Sequence, residues 1–124
     1  MRVLILGGFG NFGARIARAL AQDPSMEVIA AGRSPRVSSA GARVQVARLN
    51  INAADFAANL SGLAPDVVIH CAGPFQGQDY RVAESVLAAG AHYIDLADGR
   101  ECVTHFAEYN DRRARAAGKL AMCG

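Results

Sequence analysis

The chain has 124 residues, enough for one domain with a modest hydrophobic core. Hydrophobic residues make up 52% and charged residues 19%, a balance that excludes an intrinsically disordered chain. The net charge of +2 argues against a nucleic-acid-binding surface, and no apolar run is long enough to span a membrane. We therefore expect a cytoplasmic domain whose three cysteines are reduced, mostly buried thiols and which holds no metal ion.

Short apolar runs alternate with helical patterns along the whole chain. Arg2–Leu6 is a continuous aliphatic run typical of a strand covered on both faces, and in the next segment Ile16 and Leu20 share one helix face. The predicted strands are residues 2–6, 27–31, 43–49, 67–71, 92–96 and 119–123. The predicted helices are residues 12–22, 53–60, 79–89 and a long one from about 98 to 117, and residues 32–41 form a loop.

Three local signals fix the ends of these helices. Asn52 is typical of a cap for the helix over residues 53–60. Asp98 and Glu101 fit a capping box at the start of the long helix, and Gly118 fits the left-handed position just after its end.

Strands alternating with helices predict a parallel sheet with right-handed crossovers. The expected architecture is a doubly wound α/β sandwich of the Rossmann type, with strand order 3-2-1-4-5-6 and ending at the sixth strand. In such a sheet, ligands bind beyond the carboxyl ends of the strands, at the switch between strands one and four.

A glycine-rich turn directly follows the first strand and opens the first helix. Its residues are Gly7, Gly8, Phe9, Gly10, Asn11, Phe12 and Gly13, which satisfy the pattern G-x-G-x-x-G. One glycine permits the tight turn, the next lets the backbone approach a pyrophosphate, and the last lets the helix lie close to the strand. We assign the pyrophosphate approach to Gly10. The helix N-terminus then offers free N–H groups and the positive end of its dipole to the phosphates, so the turn predicts a dinucleotide site.

The end of the second strand reads Gly32-Arg33-Ser34, where NAD-binding proteins carry an acidic residue for the ribose 2′-hydroxyl. Without a carboxylate here, the guanidinium of Arg33 can bind a 2′-phosphate through two parallel hydrogen bonds. Arg33 and Ser34 therefore favour NADP over NAD. The alternative is that Arg33 is a solvated loop arginine.

The ends of strands three and four are expected to complete the site. Ala72 and Gly73 have little or no side chain, so a ribose or nicotinamide can pass near their backbone, and Pro74 stiffens that edge. Asn50 and Ile51, after strand three, are expected to flank the adenine.

No constellation of catalytic residues is evident. His70 lies near the end of a buried strand, where a histidine is more often hydrogen-bonded structure than an acid–base group. Tyr93 is expected in the core, and no Ser-x-x-Lys or Tyr-x-x-x-Lys pair occurs. The catalytic residues therefore stay unassigned.

Three segments, residues 8–13, 66–75 and 88–96, resemble the NADP-binding domain of saccharopine dehydrogenase-like proteins. In that family a "cGPf" stretch closes strand four and a "GahYiDl" stretch builds strand five. The resemblance implies that residues 1–124 are the dinucleotide-binding domain of an oxidoreductase. It also implies that a small-molecule substrate and the catalytic residues belong to a downstream domain that this sequence lacks.

Two alternatives remain open. One is an extended short-chain dehydrogenase, in which strand four reads "DVVIHxA", although Gly73-Pro74 is unlike the usual continuation there. The other is a sensing module that binds NADP without chemistry. We further expect the 124 residues alone to turn over no substrate, and an uncovered apolar surface near residues 119–124 to favour a homo-oligomer.

Overall fold

A single sheet organises the molecule in the computed structural model, which describes residues 1–36 and 41–124. Its strands are β1 (Arg2–Leu6), β2 (Glu27–Gly32), β3 (Val44–Arg48), β4 (Val67–His70), β5 (His92–Asp95) and β6 (Ala121–Met122). They pair in parallel in the order β3-β2-β1-β4-β5-β6, which confirms the predicted fold class and strand order. Of the predicted loop 32–41, residues 37–40 lie outside the described residues.

Helices cover both faces of the sheet. Those within the described residues are α1 (Asn11–Leu20), α2 (Phe56–Gly62), α3 (Arg81–Ala88) and α4 (Arg100–Ala117). Alternate residues of a strand point to opposite faces, so Leu4 and Leu6 pack with α2, α3 and α4, whereas Val3 and Ile5 pack with α1. No helix in the described part of the chain is both long and apolar enough to cross a bilayer.

Strands β1 and β4 differ in how far their residues are buried. Every residue of β1 after Arg2 is buried, as predicted for a strand covered on both faces. In β4, which the sequence predicts to be a buried strand, Val68 and His70 are buried while Val67 and Ile69 are only half-buried, so β4 is less buried than predicted. The cause is that α1 packs over β1 and β2, whereas the other described helices all lie on the opposite face.

Two predicted helix caps are also wrong. α2 begins at Phe56 rather than at residue 53, because the side chain of Asn50 accepts the N–H of Asn52 at 3.0 Å and holds a turn there. α4 begins after Gly99 without a side-chain cap, and the Asp98 carboxylate instead accepts a hydrogen bond from Gln76 at 3.3 Å. At the other end of α4, Gly118 adopts the predicted left-handed conformation, with φ of 64°.

Candidate functional site

A cleft of about 780 Å³ lies at the carboxyl ends of β1, β2, β3 and β4, where a doubly wound sheet binds its ligands. Ten of the residues expected to bind a cofactor line it: Gly7, Phe9, Gly10, Arg33, Ser34, Asn50, Ile51, Ala72, Gly73 and Pro74. The other four, Gly8, Asn11, Phe12 and Gly13, do not. The structure therefore brings together residues from the ends of four strands.

The turn between β1 and α1 forms the floor of the cleft. The amides of Gly7 and Gly8 both donate to the carbonyl oxygen of Ala31, at 2.9 and 3.0 Å, which fastens the turn to β2. α1 begins after Gly10 with no side-chain cap and no acidic residue in its first turn. Its first N–H groups are thus left for another acceptor, and the helix dipole favours an anion at this end.

Gly10 differs from Gly8 and Gly13 in how much space surrounds it. A Cβ on Gly10 would lie 3.3 Å from the Gly7 carbonyl oxygen, a tight contact, but within 4 Å of no other heavy atom outside its chain neighbours and helix, and Gly10 lines the cleft. That opening beside a bare helix N-terminus has the shape and charge that a pyrophosphate requires. The residues present therefore fit the phosphates of a dinucleotide.

Gly8 and Gly13 serve packing instead. A Cβ on Gly8 would lie 2.7 Å from the Cβ of Ala30, and one on Gly13 would collide with the carbonyl group of Gly7. Gly13 thus lets the start of α1 lie close against the turn that follows β1. Asn11 and Phe12 lie at the start of α1 but outside the cleft, and the ring of Phe12 is 64% exposed.

Cationic side chains gather at the β2 end of the cleft. Arg33 and Arg36 both line it, and Arg33 makes no hydrogen bond or ion pair with any described residue. Phe9 covers Gly32, because a Cβ there would lie 3.0 Å from the Phe9 ring. No acidic residue occurs between Gly32 and Arg36, so this end of the cleft suits an anionic group.

The loop after β4 forms the opposite wall. Ala72 contacts the glycine-rich turn so closely that a Cβ on Gly7 would lie 2.8 Å from the Ala72 nitrogen. Cys71 also lines the cleft, and burial raises the pKa of its thiol to about 11. Cys71 is therefore a neutral thiol near pH 7 and a poor nucleophile. All three cysteines are half-buried free thiols, less buried than predicted.

His70 is buried and hydrogen-bonded, as the sequence predicts. Only 1% of it is exposed, its Nδ1 accepts the N–H of Ala72 at 3.3 Å, and its Nε2 lies 3.1 Å from the side-chain oxygen of Gln78. Burial lowers the pKa of the imidazole below its ordinary value. The ring is therefore buried and neutral near pH 7, with both nitrogens hydrogen-bonded inside the domain.

Asp95, at the end of β5, is likewise enclosed. Its carboxylate accepts hydrogen bonds from the Tyr93 hydroxyl at 2.8 Å and from the N–H groups of Ala97 and Gly124 at 3.0 Å each. Burial and the Asp95 charge raise the pKa of Tyr93 far above its ordinary value, and the ring lies in the core as expected. Within the described ranges, no three His, Cys, Asp or Glu side chains could hold a metal ion.

Sequence reasoning missed the part of the cleft contributed by the β4–α3 loop. Gln78, Asp79 and Arg81 line it, and the Asp79 carboxylate pairs with the Arg81 guanidinium at 2.6 Å. Their position just after β4, beside the switch point of the sheet, is the signal that points to them.

Solved structures share this fold at low identity. An apo saccharopine dehydrogenase (L-Glu forming) from Saccharomyces cerevisiae aligns with a TM-score of 0.66 at 20% identity over 98% of this chain and 26% of that one. A short chain dehydrogenase from Leptospira borgpetersenii with bound NAD+ aligns with a TM-score of 0.71 at 18% identity, over 98% of this chain and 68% of that one. An ADP-L-glycero-D-manno-heptose-6-epimerase from Helicobacter pylori aligns with a TM-score of 0.62 at 20% identity, and the chain covers 38% of it.

These likenesses show the fold alone, and the chain spans about a quarter to two-thirds of the proteins compared. No curated protein matches the sequence. The model of the family described as the saccharopine dehydrogenase NADP binding domain, by contrast, matches residues 3–122. That match spans nearly the whole chain and decides between the families that the sequence left open. The protein belongs to the saccharopine dehydrogenase NADP binding domain family.

Proposed function

We propose that this domain binds NADP(H) in the cleft and, within a longer polypeptide, presents the nicotinamide ring for hydride transfer to or from a small-molecule substrate. The observation that carries the proposal is the uncapped N-terminus of α1 opening onto the cleft beside Gly10, with Arg33 at the β2 end. The first feature matches a pyrophosphate, and the second matches a 2′-phosphate.

The direction of the dinucleotide follows from these two anchors. With the 2′-phosphate at Arg33, the adenosine lies at the ends of β2 and β3, between Phe9 and the pair Asn50 and Ile51. The nicotinamide half then crosses the glycine-rich turn to the β4 side, along residues 72–74. The small or rigid residues there leave room for its ribose.

The role of these residues in the reaction is to bind and orient. NADPH supplies a hydride when bound, and a hydride is transferred only when its donor and acceptor carbons are held about 3.5 Å apart. Near this end of the sheet, His70 and Asp95 have their hydrogen bonds within the domain, and the Asp79 carboxylate pairs with Arg81. Substrate contacts and proton transfer accordingly fall to another part of the protein, and the free thiols favour a reducing compartment, the cytoplasm.

Calorimetric titration with NADPH and NADH tests the proposal. The wild type is expected to bind NADPH more tightly than NADH. Arg33→Ala is expected to lower the affinity for NADPH about tenfold or more, because a charge-assisted hydrogen bond is lost, and to leave the affinity for NADH unchanged. Arg43→Ala is the matched control, since Arg43 is exposed and lies outside the cleft. Gly10→Val is expected to lose both nucleotides while remaining folded, because its side chain fills the phosphate position.

Two results would contradict the proposal. Equal weakening of NADPH and NADH by Arg33→Ala would show that Arg33 does not contact the 2′-phosphate. Failure of the wild type to bind either nucleotide, or full affinity in a folded Gly10→Val protein, would remove the dinucleotide site itself.

A further inference from the structure

The side chain of Gln78 holds the loop that follows β4 through hydrogen bonds to the backbone of that loop. Its Nε2 donates to the carbonyl oxygen of Ala72 at 2.9 Å and to that of Pro74 at 2.6 Å. Its oxygen lies 3.1 Å from the Nε2 of His70, at the end of β4. One side chain thus joins the strand to two points of the loop that follows it.

His70 determines the orientation of the Gln78 side-chain amide, that is, which of its two ends faces the histidine ring. The N–H of Ala72 donates to Nδ1 of His70, so Nδ1 carries no proton and the proton of the neutral ring is on Nε2. Nε2 therefore donates to the oxygen of Gln78, and the amide nitrogen faces the two carbonyl oxygens. Every hydrogen bond in the group then has one donor and one acceptor, which makes the arrangement self-consistent.

The loop held in this way is a wall of the cleft. Ala72, Gly73 and Pro74 all line it, and Ala72 touches the backbone of Gly7 in the phosphate turn. The distance between this wall and the turn sets how much room the cleft offers on the β4 side. On the adenosine side, built from the ends of β2 and β3, no described residue has a hydrogen bond to Gln78.

We propose that Gln78 is a positioning residue of the nucleotide site: its amide, oriented by His70, holds residues 72–74 where they admit the nicotinamide half of the dinucleotide. This inference rests on the proposed function, because it takes the cleft to bind NADPH with its nicotinamide on the β4 side. Gln78 acts through the backbone it holds and has no part in the chemistry.

The test compares two ligands that share one half. Adenosine 2′,5′-bisphosphate carries the adenosine and the 2′-phosphate, whereas NADPH adds the nicotinamide half. Gln78→Met keeps the length of the side chain and removes its hydrogen bonds. This variant is expected to lower the affinity for NADPH about tenfold or more, since two loop hydrogen bonds are lost. Its affinity for the bisphosphate is expected to stay within about twofold of the wild-type value. Gln76→Met is the matched control, because Gln76 is exposed and its side chain bonds Asp98 rather than the loop.

A second variant guards against a failure to fold. Gln78→Glu keeps an acceptor for His70 but places an oxygen against the two carbonyl oxygens, so it is expected to cause the same selective loss. Equal weakening of both ligands, or unchanged NADPH affinity in either folded variant, overturns the positioning role. Those results would leave the proposed function intact provided that the wild type binds both ligands, whereas a wild type that binds neither overturns both.

Discussion

The buried imidazole of His70 is neutral in the folded protein, and it can take up a proton once unfolding exposes it to water. Burial lowers its pKa in the native state, whereas in the solvated unfolded chain the pKa returns to about 6.5. Below that pH the unfolded state binds more protons than the native state, so the free energy of unfolding falls as the pH falls. Above it this contribution is constant.

We therefore expect His70→Gln to flatten the loss of stability between about pH 6.5 and pH 5, measured by urea unfolding at several pH values. His105→Gln is the control, because His105 is exposed and pairs with Glu108, 3.4 Å away on the same helix. A His70→Gln protein with the slope of the wild type would show that this ring does not govern the acid sensitivity.

Glycine spacing locates the phosphate turn but does not separate the roles of its members. Gly10 opens onto the cleft, while Gly8 and Gly13 contact backbone and Cβ atoms of β1, β2 and the turn itself. The pattern carries no information about where each missing Cβ would point. Gln78 escapes sequence reasoning for a similar reason, because its partners, the carbonyl groups of Ala72 and Pro74, depend on the path of the loop.

At the scale of elements, the turn before α2 shows how one local hydrogen bond displaces a helix start. The side-chain oxygen of Asn50 accepts the N–H of Asn52, and the N–H of Ala53 donates to the Asn50 carbonyl. These bonds engage the segment in a turn, and α2 begins only at Phe56, whose ring is buried. For Asn52 to cap the helix, its own side chain would have to accept a hydrogen bond from a backbone N–H group at the start of that helix.

The expected consequence is that Asn50→Ala lowers the free energy of unfolding by about 0.5–1.5 kcal/mol through the lost hydrogen bond, while Asn52→Ala changes it by less than about 0.5 kcal/mol. Chemical denaturation of the two matched variants measures the difference. The reverse order of effects would restore Asn52 as the structural residue of this turn.

Strand existence and order follow from the alternation of apolar runs with helices, and the structure reproduces them. Burial of each strand face does not follow, because an apolar run in β4 has the same pattern whether or not a helix covers both sides. Ile69 in β4 and Ile94 in β5 are half-buried for this reason, while the equally aliphatic β1 is enclosed. Coverage is a property of the neighbouring elements, which a strand's own sequence does not record.

At the scale of the whole molecule, the described acid–base side chains at the carboxyl ends of β4 and β5 are engaged within the domain. His70 has both nitrogens bonded, Asp95 accepts three hydrogen bonds, and the thiol of Cys71 stays protonated because burial raises its pKa to about 11. Hydride transfer also requires the substrate carbon to be fixed against the nicotinamide, which takes a second wall to the site.

We therefore expect the 124-residue chain to bind NADPH but to show no substrate-dependent oxidation of it. Absorbance of NADPH measured with imine, carbonyl and enoyl compounds checks this, and binding by the same sample shows that the site is intact. Turnover in a longer polypeptide that includes this domain would place the catalytic groups elsewhere in that protein, whereas binding without turnover there would favour a sensing role. Substrate-dependent oxidation by the 124 residues themselves would show that a side chain of this domain acts as acid or base, and His70→Gln would then be the first variant to assay.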